Sequence, residues 1–136
     1  DKNDHLWIHG FKIAKDSIED RIMIFDGIRC KDVEGLQVKS KVSNRSQRLG
    51  MFAGADKSIW VINTLERKIM KYEGVEVVES FESGDLSLQD GTSLQDLGDE
   101  GLFIFDFTNA ALTRIKAGYI ETVELKTILP ETMIMI

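Results

Sequence analysis

Leu102-Phe103-Ile104-Phe105-Asp106 is four large apolar residues closed by an acid, and the chain repeats that phrase twice, as Ile22-Met23-Ile24-Phe25-Asp26 and Ile59-Trp60-Val61-Ile62-Asn63. A glycine follows each Asp or Asn by 9, 11 and 12 residues: Gly35, Gly74 and Gly118. Beyond each glycine comes another apolar-rich run, at 36–42, 75–81 and 119–125. The Asp/Asn positions lie 37 and 43 residues apart, which is the spacing of a repeated supersecondary unit.

Residue type assigns these runs to strands. Ile, Val, Phe, Trp and Tyr dominate them, and Gly, Asp, Asn and Ser bound them. The four-residue runs do not alternate, which predicts burial on both faces with Trp60 inside. Segments 75–79 and 39–42 alternate in part, as half-buried strands do. Earlier strands fit before each phrase, at 6–10, 49–54 and 86–91, giving about four short strands per unit. The competing reading is a helix over 63–72, with Asn63 as its cap and Leu65, Ile69 and Tyr72 on one face. The fold class expected is all-β and antiparallel: about three four-stranded repeats of about 40 residues in one domain, 1–136.

Residues 42–63, read as a Ser-rich turn, a strand of small residues, a Gly/Asp turn and an apolar strand ending in Asn63, resemble a blade of the WD-repeat β-propellers. The likeness extends to 101–106 and 21–26, about 100 residues in all. The Gly-His and Trp-Asp pairs of that family are absent, so its buried hydrogen-bond network is not carried over. The resemblance implies a propeller-like stack of blades. Propellers have four to eight blades, so three would need more chain, a partner chain or self-association. A β-trefoil, which closes by itself at this length, is the alternative, and a β-sandwich or a PH-like barrel the third.

The 136 residues are 43% hydrophobic and 29% charged, an ordinary globular composition for a single domain. No apolar run reaches membrane-spanning length and no signal-like segment opens the chain, although a start at Asp1 leaves room for a fragment of something longer. Cys30 is alone, fits a reducing, intracellular setting (cytoplasmic or nuclear), and reads as a small buried apolar residue.

Charge is unevenly distributed. Residues 72–113 carry ten acids and no lysine or arginine, whereas residues 1–71 carry 14 basic and 10 acidic residues. This acidic stretch, with Glu79, Glu82, Asp85, Asp90, Asp96 and Asp99, reads as a docking face for a basic protein partner. The opposite pole is Lys39, Lys41, Arg45 and Arg48, and the two poles allow head-to-tail self-association. Net charge −6 argues against nucleic acid as partner. The acids miss the one-three-five spacing of a calcium loop. Ser87 and Ser93, each three residues before an acid, suit a capping box ahead of a kinase site.

No nucleophile elbow, phosphate loop or Cys-x-x-Cys occurs, and His5 and His9 lack a third convergent ligand. No catalytic residue, metal or cofactor is therefore assigned. Among aromatic residues Trp7, which alternates with His5 and His9, is the better surface candidate for partner binding, set against the commoner core placement of such a residue. The expected function is a non-catalytic protein-interaction or scaffold module, without membrane attachment. The alternative is a trefoil-type module for a small ligand or carbohydrate.

Overall fold

The computed structural model describes residues 4–41, 48–82, 92–107 and 109–125. They form three antiparallel sheets, each a meander of consecutive strands. The first sheet is β1 (Leu6–Ile13), β2 (Ser17–Phe25) and β3 (Cys30–Lys41). The second is β4 (Leu49–Ala53), β5 (Ile59–Asn63), β6 (Lys68–Glu73) and β7 (Glu76–Glu82). The third is β8 (Ser93–Asp96), β9 (Leu102–Asp106), β10 (Ala111–Lys116) and β11 (Tyr119–Glu124), and Gly98–Glu100 adds a single 3-10 turn. Strands pair only within their own unit, whereas a trefoil would join strands of different units in one barrel.

The repeated Asp/Asn works locally in every unit. Asp26 Oδ1 accepts the Ile28 and Arg29 N–H groups, both at 2.8 Å. Asn63 Oδ1 accepts those of Leu65 and Glu66, both at 3.1 Å, and Asp106 Oδ1 accepts that of Asn109 at 3.3 Å. At Asp26 and Asn63 the side chain closes an Asx turn, and in all three units it ties down the backbone that leads to the next strand. The same bonds at Asn63 leave no room for the competing helix over 63–72: a tight turn leads straight into β6.

The glycines are less uniform. Ala117 and Gly118 both have positive φ, 51° and 81°, in the two-residue loop between Lys116 and Tyr119, as a type I′ hairpin demands. The sequence pattern places Gly35 in a turn ahead of a separate strand at 36–42. Instead it lies inside β3 with φ 81°, in a bulge that sets residues 33–36 against Ile22 alone. Leu36 therefore continues β3, and the first sheet has three strands where four were expected.

Two cores lie between the sheets. Trp7, Ile22, Ile24, Val33, Leu36 and Val38 pack on Leu49, Val61 and Tyr72. On the far side of the second sheet, Trp60, Ile62 and Ile69 pack on Leu94, Leu102, Ile104 and Ile115. Successive β5 residues thus feed opposite cores, and the strand is buried on both faces with Trp60 only 3% exposed. Full burial on both faces does not extend to β2 and β9, where Met23, Phe25, Phe103 and Phe105 are half-buried. These strands belong to the end sheets, which among the described residues have a neighbouring sheet on one side only.

The sheets do not stack in a uniform sense. Each sheet has an Asx face, which holds the residues two and four before the Asp/Asn, and a reverse face opposite. The first and second sheets meet through their Asx faces, Ile22 and Ile24 against Val61. The third sheet lays its Asx face, Leu102 and Ile104, on the reverse face of the second, Trp60 and Ile62. A closed ring of blades needs unlike faces at every junction, and only the second junction has them. At the first junction Asp20, 3% exposed, accepts the Arg48 and Leu49 N–H groups at 2.6 and 3.0 Å, tying β2 to the start of β4.

Candidate functional site

A cleft of about 600 Å³ opens between the second and third sheets, where the reverse face of one and the Asx face of the other diverge. Its wall is set by Asp96 at the end of β8. One carboxylate oxygen accepts the indole N–H of Trp60 at 3.0 Å and the Ala55 N–H at 3.1 Å; the other accepts the Gly98 N–H at 2.9 Å. Burial works to raise the Asp96 carboxyl, but these donors, Trp60 foremost, outweigh it and hold the group below the usual carboxylate range. The Trp60 ring stacks on Phe81 from β7, with centroids 6.3 Å apart and planes 18° from parallel.

The short turn after Asn63 sets the pairing of β5 with β6, and that register places Lys71 beside Trp60. The ammonium group lies 5.8 Å from the Trp60 ring centroid and 3.2 Å from Asp56 Oδ2. Desolvation of Lys71 lowers its pKa, yet Asp56, Glu79 and Asp96 more than compensate, so the net shift is upward. Asp56 is pulled down to about 2, first by the Ser58 hydroxyl at 2.5 Å and then by Lys71, against a smaller opposing effect of burial. Lys71 therefore has an ionised partner throughout the physiological range. Glu79 and Asp99 complete the acidic lining, and Lys116 is its second cation.

The structure gathers some of the sequence-predicted residues and scatters others. Glu79, Asp96 and Asp99 line this cleft together, although they are up to 20 residues apart in sequence. Glu82 sits further along β7 and pairs with Lys68 at 3.2 Å. Lys39 and Lys41 are exposed on β3, Lys39 lying 4.0 Å from Glu19. Arg48 precedes β4 at the first junction, where Asp20 accepts its N–H at 2.6 Å. Arg45, Asp85, Asp90 and Ser87 lie outside the described residues, as do the strand expected at 86–91 and the apolar segment 133–136.

Three expectations need correction. Trp7 is not at the surface: it is 7% exposed in the first core, its ring 5.4 Å from Tyr72. Cys30 is exposed rather than buried, because it begins β3 at the edge of the first sheet. Ser93 caps no helix, since it opens β8.

Sequence reasoning missed Asp56, Lys71 and Lys116. The available signal was that Lys71 borders the cation-free stretch, which makes it a natural counter-charge for the acids beyond it. Among the described residues no three of His, Cys, Asp and Glu gather closely enough to hold a metal ion. Comparison with known protein families, with curated proteins and with solved structures gives no match, so the site rests on its own geometry.

Proposed function

We propose that this chain is a non-catalytic protein-interaction module whose cleft between the second and third sheets takes a basic segment of a partner protein. The observation that carries the reading is the convergence of Glu79, Asp96 and Asp99 from the cation-free stretch beside the Trp60–Phe81 pair, with Lys71 already neutralised by Asp56. A lysine or arginine entering there meets the carboxylates of Glu79, Asp96 and Asp99, which bind cations through charge-assisted hydrogen bonds. The inner carboxylates favour binding over acid–base work. Asp56 and Asp96 are held below the ordinary range, so both remain ionised where a general acid would need its proton. The lone exposed thiol of Cys30 fits the reducing interior of a cell.

The test is a titration with a hexa-arginine peptide, followed by Trp fluorescence, with hexa-glutamate as control. Hexa-arginine should bind, and added salt should weaken it as exposed charges are screened. Glu79→Gln and Asp99→Asn should each cost about two- to five-fold at low salt, the range for exposed ion pairs. Equal binding of hexa-glutamate, or affinity untouched in the double variant, would refute the reading.

A further inference from the structure

The reverse faces of the second and third sheets correspond residue by residue. Trp60, Lys71 and Glu79 form a cross-strand row over β5, β6 and β7; Phe103, Arg114 and Glu121 form the same row over β9, β10 and β11. In both rows the cation lies over the aromatic ring, at 5.8 Å for Lys71 on Trp60 and 5.9 Å for Arg114 on Phe103. The next row is Ile62, Ile69 and Phe81 on the second sheet, matched by Phe105, Leu112 and Val123 on the third. A hollow of about 210 Å³ opens beside Arg114 and Glu121, as the larger cleft opens beside Lys71 and Glu79.

The difference lies in what covers them. On the second sheet this surface is the seat of the third sheet, and Trp60, Ile62 and Ile69 are 3%, 1% and 0% exposed. On the third sheet no sheet of the described residues covers it: Val123 is 44% exposed, and Phe103, Phe105 and Leu112 are only half-buried. An apolar face with a central aromatic–cation pair, built like one already occupied, marks an interaction site.

We propose that the reverse face of the third sheet is the seat of a four-stranded sheet of a partner polypeptide, which docks through an Asx-type face. The occupied seat defines the chemistry of that partner. It brings aliphatic residues in the places of Leu94, Leu102, Ile104 and Ile115, and a carboxylate in the place of Asp96. Because Phe103 has no N–H to offer where Trp60 has one, the guanidinium of Arg114 becomes the donor to that carboxylate. A second copy of these residues does not supply the partner, because all three of its Asx faces are already used, two against each other and one on the second sheet. This surface is separate from the acidic cleft and does not depend on the cleft's role.

The probe is the one sheet shown to fit such a face: the full chain is extended after Ile136 by a flexible linker and a second copy of residues 92–125. Hydroxyl-radical footprinting then reads Phe103 and Phe105 of the original sheet, with buried Trp60 as internal standard. Docking should take both phenylalanines from reactive to the unreactive level of Trp60. Phe105→Glu or Arg114→Glu in the original sheet should abolish that protection, while Phe105→Glu in the appended sheet, at the new open end, should leave it intact. Three results would overturn the proposal. Phe103 and Phe105 could stay reactive in the extended chain. The unextended chain could sediment as a dimer that Phe105→Glu dissolves, which would give the seat to a second copy. The two residues could already be protected in the unextended chain and become reactive on deletion of residues 126–136.

Discussion

Replacing Trp60 in two ways separates its packing from its hydrogen bond. The indole is 3% exposed in the second core, so Trp60→Ala opens a large cavity and is expected to cost about 3–5 kcal/mol. Trp60→Phe keeps most of the ring but removes the N–H that reaches Asp96 at 3.0 Å. A hydrogen bond to a charged group contributes about 1.5–3 kcal/mol. Because Asp96 keeps the Ala55 and Gly98 donors, the lower end applies, about 1.5 kcal/mol. For a domain of this size 1 kcal/mol moves the melting temperature by about 4 °C, which gives drops of about 12–20 °C for alanine and about 6 °C for phenylalanine.

The pH dependence supplies the sign. The folded-state pKa of Asp96 is depressed, so its contribution is present above the unfolded value and is lost as pH falls through the folded one. The gap between the native protein and Trp60→Phe should therefore narrow in acid, whereas the cavity cost of Trp60→Ala should largely persist. Urea unfolding followed by circular dichroism at neutral pH and near pH 3 reads both. If Trp60→Phe cost as much as Trp60→Ala, or if its gap were unchanged in acid, the assignment of the Trp60–Asp96 bond would fail.

Two further predictions concern the other titrating groups. Asp56 should titrate near 2 by carboxyl NMR and move upward in Ser58→Ala, because the Ser58 hydroxyl is the largest cause of its shift; its stabilising contribution is full above the ordinary carboxylate pKa and lost as pH falls toward 2, and an unshifted midpoint in the variant would dismiss the hydroxyl's role. His9, whose pKa burial lowers while Asp20 partly restores it, should titrate below 6.5, and in Asp20→Asn lower still; stability from this group is full above 6.5 and declines as pH falls toward the folded value, so a His9 midpoint that rose in Asp20→Asn would contradict the geometry.

The parts of the fold that were legible in the sequence are those governed by neighbours along the chain. Asp26, Asn63 and Asp106 each bond to N–H groups two or three residues ahead, so a local pattern was enough to find every strand they terminate. The strand type and the burial of Trp60 followed from residue chemistry in the same way. Trp7 misled because the neighbouring His5 and His9 made its alternation look polar, while the partner that buries it, Tyr72, is 65 residues away. Gly35 misled because a bulge and a turn ask for the same positive φ. In the site, Glu79, Asp96 and Asp99 stood out through charge density. Asp56 and Lys71 did not, since their pairing depends on the β5–β6 register and on the loop before Ser58. The unlike stacking at the two junctions left no trace in the repeated phrase, because each phrase reads the same whichever way its sheet is turned.

The double burial of β5 bears on how this molecule loses its structure. Val61 belongs to one core and Trp60 and Ile62 to the other, so the two cores share a partition one strand thick. No substitution in β5 is private to one side: a backbone shift that relieves crowding at Ile62 is imposed on Val61. Melting one core while keeping the other would leave that partition wet on one face, so the second and third sheets should give way in a single transition with the first. Local opening is confined to strands that line one core or none, with β11, exposed along its whole length, the first to yield.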